Sequence, residues 1–354
     1  MKSPSILSKS STTARLLSAV LISALLLPGG AVFAANPLPL SAVPVPEPPN
    51  LATYVKDKAA AVKLGKALFW DTQAGSDGVT ACASCHYRAG ADPIGIRSKN
   101  QLAPGTSASG ISLFQSLGPN ATLTGADFPF FQVNPVDAAI GTCTVINDTF
   151  DIAGSQGVRK NIFTGITIGN PVDSGTTNYG LPFNNHRQVT GRNTPPAVNA
   201  VFNYANFWDG RANNIFNGAS PIGPLDVNAG IWVNNLGVLS KQTISIPNAS
   251  LASQAVGPPL NNVEMSYDGR TFPELGRKLL SLTPLGQQTV HPADSVLGPL
   301  SRAALNPDGT LSGSKGLNAT YAQMINDAFV SSLTSTTLTK IGRASCRERV
   351  CNDV

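Results

Sequence analysis

The sequence is short of charge, of aromatic rings and of thiols. Only 13% of its 354 residues are charged and 6% are aromatic, against roughly 25% charged in an average domain, which excludes a coiled coil and a highly charged disordered chain. Long apolar runs are also missing. The longest, Leu16 to Leu27, spans 12 residues, well short of the roughly 20 a membrane-crossing helix needs. What is plentiful is turn chemistry, with 33 Gly and 27 Pro, and the expectation is a loop-rich globular protein.

Both ends read as something other than fold. Residues 1–34 carry Lys2, Lys9 and Arg15 without an acid, then the apolar run, a Pro28-Gly29-Gly30 break and Val32-Phe33-Ala34. This is the pattern of a secretory signal peptide, and it implies a periplasmic or otherwise exported protein with no membrane span after cleavage. At the other end, Ile341 to Val354 looks like the in-frame translation of a sequencing adapter, and we treat it as an artefactual tail with the true chain continuing beyond. Of the net charge of +5, the leader contributes three and the tail one, leaving +1. That balance offers no basic stripe for nucleic acid.

Cys346 and Cys351 fall in the tail, so the body keeps Cys82, Cys85 and Cys143, and three cysteines cannot form a disulfide framework. Residues 35–50 form a linker with six prolines between Asn36 and Pro49, which favours extended geometry. Asn50 stands at a helix N-cap position, and Leu51, Tyr54, Val55, Val62 and Phe69 share a helical face, so a helix through about Phe69 is expected. Gly90 to Gly180 is rich in Gly, Ser, Asn and Thr and reads as an insertion with short strands. Thr194-Pro195 has the signature of a helix start. Thr271-Phe-Pro-Glu274 is a capping box that turns Leu275, Leu279 and Leu282 inward. Asn318 is placed to cap a last helix whose Tyr321, Ile325, Phe329 and Leu333 recur every fourth residue. No internal repeat is present.

The chemistry concentrates in Cys82-Ala-Ser-Cys85-His86. Two thiols three apart with an imidazole directly after can add to both vinyl groups of a haem while His86 reaches the iron, the c-type attachment pattern. A redox dithiol and half of a zinc site are the competing readings. The first lacks a surrounding βαβ pattern, and the second needs a fourth ligand.

Around this motif lie Leu64-Gly-Lys-Ala-Leu-Phe-Trp-Asp71, Gly191-Arg-Asn-Thr-Pro195, Phe207-Trp-Asp-Gly-Arg-Ala212, and Gly257-Pro258 followed by Val263-Glu-Met265. Together, in this order, they resemble the bacterial dihaem cytochrome c peroxidase and MauG family over about residues 51–282, specifically its N-terminal, peroxide-reacting half. The resemblance implies a domain over 51–340 with the insertion 90–180, and a mainly α, cytochrome c-like fold with long loops and short strands. It also implies one haem c here, with a second expected in a missing C-terminal half, since no second C-x-x-C-H is present.

By the same resemblance His86 is the proximal ligand, and Gln254 and Glu264 line the distal side ten residues apart. Glu264 is the candidate acid/base that moves a proton between the peroxide oxygens, with Gln254 orienting the peroxide. Trp208 matches an electron-mediating tryptophan, the alternative being a core ring, and Phe207 an aromatic near the distal pocket. Asp209 and Arg211 read as structural, the arginine pairing with a haem propionate. Asn193 matches a position that helps bind calcium. His186 is either a labile distal iron ligand in a shortened loop or a surface histidine. His291 reads as a loop histidine, and Met265 and Met324 as core. The implied activity is reduction of hydrogen peroxide with electrons from a small donor such as cytochrome c or a cupredoxin. The alternatives are a non-enzymatic electron-transfer cytochrome c domain and a MauG-like enzyme acting on an organic substrate.

Overall fold

A computed structural model describes residues 39, 42–87, 132–133, 145–147, 155–177, 187–190, 192–235 and 238–333. The leader, Cys143, His186, the tail after 340 and most of the expected insertion lie outside the described residues. The described residues from Val45 onward belong to one compact unit.

Among the described residues there are five α-helices: α1 (Lys58–Trp70), α2 (Cys82–His86), α3 (Ser250–Ala255), α4 (Phe272–Leu280) and α5 (Tyr321–Ala328). They share the chain with ten short strands paired in five separate two-stranded antiparallel ribbons. The expectation of a mainly α fold is therefore overturned. Two of the helices have only five and six residues, and besides the ribbons in the expected insertion, where short strands were anticipated, ribbons form over 231–242 and 301–317, where none was. One of these, β9 (Ser301–Leu305) with β10 (Leu311–Leu317), closes on Asn306-Pro-Asp-Gly-Thr310. There the Asp308 carboxylate accepts the Thr310 N–H at 2.9 Å, and Gly309 takes the φ of +83° that the turn requires.

Helix boundaries follow capping chemistry more closely than apolar spacing. α1 starts at Lys58, not near Asn50, because the Asp57 carboxylate accepts the Ala60 N–H at 3.1 Å. Before it Leu51–Thr53 forms a separate 3-10 turn with Asn50 at its N-cap position, and Lys56 and Asp57 both donate backbone N–H groups to Ala328 O. Thr194-Pro195 starts no helix. Pro195 itself precedes Pro196, and a residue before proline is driven out of the helical region, leaving turns and a single 3-10 turn at Ala200–Phe202. The capping box at α4 forms, the Thr271 N–H donating to Glu274 Oε2 at 2.8 Å. α5 is capped by Thr320 rather than Asn318, through Gln323 N–H to Thr320 Oγ1 at 3.2 Å and Thr320 N–H to Gln323 Oε1 at 2.8 Å. Asn318 instead donates its N–H to Leu300 O.

The main core joins Leu64 and Ala67 of α1, Ala252 of α3, Leu275 and Leu279 of α4, and Tyr321, Ile325 and Phe329 at α5. Met324 is buried within it. No helix among the described residues is long and apolar enough to cross a membrane.

One polar hub fastens these elements. Asp71, fully buried at the end of α1, accepts Gln73 N–H at 2.9 Å, Gln73 Nε2 at 3.1 Å, Leu285 N–H at 2.9 Å and Tyr321 Oη at 2.6 Å. A buried carboxylate is tolerable only when saturated with donors in this way. Tyr321→Phe removes one charge-assisted bond, and we expect it to cost about 1.5–3 kcal/mol, read as a lower urea midpoint for the haem-loaded protein. A midpoint equal to wild type would show that the hub does not depend on α5.

Candidate functional site

The segment before α2 is shaped by Asp77, whose carboxylate accepts Val79 N–H at 3.0 Å, Thr80 N–H at 2.9 Å and Thr80 Oγ1 at 2.8 Å. Ser84 Oγ then accepts Ala81 N–H at 2.9 Å and closes the first turn of the helix. On that turn, residues three apart share a face. Cys82, Cys85 and His86 all border one cavity of about 790 Å³, while Ala83 is buried on the other side. The two sulfurs are not bridged to each other.

The cavity is mostly apolar. α1 contributes Leu64, Leu68 and Phe69, α3 contributes Leu251, and α5 contributes Ile325. The Phe69 ring lies 6.3 Å from the His86 ring, tilted by 44°. Burial pushes the Cys82 thiol up to about 11, its own backbone hydrogen bond working against that and the nearby Glu264 carboxylate adding to it. The site thus keeps this sulfur protonated. Met265 is buried with its Sδ 3.9 Å from Cys82 Sγ, a packing position.

Gln254 and Glu264, ten residues apart in sequence, come to the same cavity. Both are partly buried. Burial raises the Glu264 carboxyl above its ordinary range, and the charge of Arg211 opposes that rise.

A tight turn forms the cavity's charged rim. Phe207 sits at φ 62°, a strained conformation for an aromatic residue, and the Arg211 guanidinium lies 3.8 Å above its ring. Asp209 Oδ2 accepts Arg192 Nη1 and Arg211 Nη1, each at 2.8 Å, and the Arg192 bond is the main reason its carboxyl is held down at about 2. Trp208 is 63% exposed, so it is not a core ring. Its indole N–H donates to Asn193 O at 2.7 Å. Asn193 borders the cavity, but among the described residues no three His, Cys, Asp or Glu side chains gather as a metal site. His291 is exposed, and its Nδ1 accepts Ala293 N–H at 3.0 Å.

Sequence reasoning missed Arg192 as a rim residue, although it stands inside a motif already singled out. It also missed a buried cluster of Asp173, Arg270 and Lys278, with side chains 0% exposed. No sequence pattern signals that cluster, because its members lie 97 and 8 residues apart.

The residues fit a haem covalently held at two thioethers. An apolar cavity within the usual size range of ligand pockets carries both thiols and an imidazole on one wall, and two guanidinium groups suited to carboxylates stand at its rim. A family model described as di-haem cytochrome c peroxidase matches residues 59–122 and 164–291 and leaves 123–163 unmatched between them. No curated protein and no solved structure matches the chain.

Covalent attachment gives a direct expectation. In protein matured by a c-type system, haem should stay with the polypeptide through denaturing electrophoresis, and Cys82→Ala/Cys85→Ala should surrender it to acidified organic solvent. Haem retained by the double variant would remove both thioethers from the site.

Proposed function

The chain belongs to the di-haem cytochrome c peroxidase family, and from that premise we propose that it reduces hydrogen peroxide at a haem c held by Cys82, Cys85 and His86. The family is one of haem oxidoreductases. The finer reading rests on one observation, that the attachment residues and the Gln254/Glu264 pair border the same cavity. A pure electron carrier has no use for a distal carboxylate and amide, and both lie against this cavity.

When bound, the haem supplies the redox centre at which the peroxide bond is broken. The chain's own groups do the rest. Converting one peroxide to two waters consumes two electrons and two protons, so a proton must leave one oxygen and reach the other. The Glu264 carboxylate takes that proton and returns it, and the Gln254 amide orients the substrate and faces the charge that develops. Burial, which raises the Glu264 carboxyl, suits it to both halves of that transfer. Arg192 and Arg211 hold the haem carboxylates at the rim, with Asp209 fixing the separation of the two guanidinium groups. Trp208, exposed and oriented by Asn193 O, is the ring through which electrons would arrive from a second haem in the expected C-terminal half, itself reduced by a small donor. In this reading His186 is a removable iron ligand and Asn193 part of a calcium site, and the leader-like residues 1–34 export the chain to the periplasm, the compartment suited to thioether maturation.

Glu264→Gln is expected to lower the peroxide reaction rate by about 10²–10⁴-fold while leaving the Soret spectrum in place. The base must be ionised to work, and its carboxyl lies above the ordinary 4.5. Activity should therefore fall as pH is lowered through a midpoint higher than that value, and the fall should vanish in Glu264→Gln. A variant with the wild-type rate and pH profile would remove Glu264 from the acid/base role; a six-coordinate low-spin spectrum in the wild type, unchanged by reduction or by His186→Ala, would favour the carrier reading, and absent peroxide turnover with oxidation of an organic substrate intact would favour the MauG-like one.

A further inference from the structure

Residues Ser155–Arg159 fall within the stretch that the family model passes over, yet they dock on the segment that carries Glu264. Val158, fully buried, donates its N–H to Glu264 O at 3.0 Å. Farther along, Phe163 N–H reaches Asp268 O at 2.9 Å and Asp268 N–H reaches Asn161 O at 2.8 Å. Gly157 lies flush against the same segment, where a Cβ would stand 1.8 Å from Val263 O and 2.6 Å from Glu264 O. Only glycine allows that approach.

The segment is also gripped by Arg270. Nη2 donates to Pro259 O at 2.6 Å and to Met265 O at 3.3 Å, and Nη1 to Ala74 O at 3.1 Å and Asp173 Oδ2 at 2.9 Å. Asp173 Oδ1 stands 2.8 Å from Lys278 Nζ, and that ammonium also donates to Gly75 O at 2.9 Å and Pro171 O at 3.2 Å. Two cations sharing one carboxylate away from water are expensive, and Arg270 Nε is buried without a hydrogen-bond partner. Burial draws the Lys278 ammonium down to about 8 against the pull of Asp173. A fold that merely needed stability could fill this volume with apolar side chains at no loss. What the ionic arrangement achieves in addition is to fix two backbone carbonyls, Pro259 and Met265, on either side of Glu264.

We infer that Arg270, held by Asp173 and Lys278, and the strand Gln156–Arg159 together position Glu264 at the cavity. Arg270 touches neither substrate nor cofactor in this role. It is a positioning residue, and the strand is its counterpart through the bond from Val158 N–H to Glu264 O. The inference rests on the acid/base reading of Glu264.

The test is a double-mutant cycle on the haem-loaded full chain with Arg270→Lys, Glu264→Gln and both together. A lysine amine cannot span Met265 O, Pro259 O and Asp173 at once. Arg270→Lys should therefore lower kcat for peroxide by about 10–100-fold with KM changed less than about twofold, the size of effect a misplacement near 1 Å produces. It should have no further effect once Glu264 is Gln, and amide exchange in peptides from 257–268 should quicken. An equal loss in both backgrounds, or unchanged exchange, overturns the inference. If Glu264→Gln alone keeps the wild-type rate, the acid/base reading falls, and the exchange data still decide whether Arg270 orders the segment. Should Arg270→Lys not fold, Asp173→Asn takes its place in the same cycle and is read by the same two criteria.

Discussion

The constraint on which the rest of the structure depends is the cavity of about 790 Å³ into which helices from both ends of the described chain turn their apolar faces. Left empty, a space of that size exposes the apolar side chains that line it to water, at about 25 cal/mol for each Å² of apolar surface left uncovered. The surrounding sequence has little with which to close it, since its connections are Gly- and Asn-rich and its aromatics few. A large, flat, apolar group anchored by two covalent bonds meets that constraint. It supplies core volume, and its attachment lowers the freedom of the unfolded chain near α2. Cys82, Cys85 and His86 are in this sense folding residues as much as chemical ones.

Two clusters of charge flank the cavity and obey different physics. At the rim, Asp209 between Arg192 and Arg211 is well exposed, so water and salt screen it and it adds little to stability. Its effect is geometric, holding two guanidinium groups at a set spacing beside Phe207 and Trp208. The Asp173, Arg270 and Lys278 cluster is sealed from water, where charge is costly. The first can be loosened cheaply by an incoming anion. The second cannot, and that difference suits the first to binding and the second to holding a backbone in place.

How much of this was legible in the sequence depended on whether the signal was local. The C-x-x-C-H motif and the ten-residue interval from Gln254 to Glu264 are short-range patterns, and all five residues border one cavity. The Thr271–Glu274 capping box was equally readable, because capping acts within one turn; the stripe expected from Tyr321 to Leu333 holds only over α5, which is capped by Thr320 and ends at Ala328, with Leu333 in a separate 3-10 turn. The start of α1 was misread because the apolar spacing from Leu51 onward continues through a break: Leu51–Thr53 forms only a 3-10 turn, and Ala328 O at the end of α5 captures the Lys56 and Asp57 N–H groups before α1 begins. The helical expectation failed for a related reason. Two-stranded ribbons such as β9–β10 draw their pairing from backbone groups and turn residues, so an exposed stretch like Leu311-Ser-Gly-Ser carries no apolar alternation to announce a strand. The buried ion cluster left no trace, since Asp173 meets Arg270 only through tertiary folding.

The same backbone logic explains how added sequence can touch a functional segment without disturbing it. A side chain inserted beside Glu264 would have to displace something. Gly157 displaces nothing, and Gly175 repeats the device against Tyr267, whose ring would stand 2.8 Å from a Cβ there. The approach is backbone to backbone, and its contacts are hydrogen bonds to carbonyls whose directions are already set by Asn261, which caps the Val263 and Glu264 N–H groups at 2.8 and 3.2 Å. Glu264 is therefore restrained through both its N–H and its C=O, and its side chain is left to face the cavity. On the rim, Trp208 is anchored by one indole bond and otherwise exposed. The wall that would handle protons is thus the rigid one, and the face through which electrons would arrive is the accessible one.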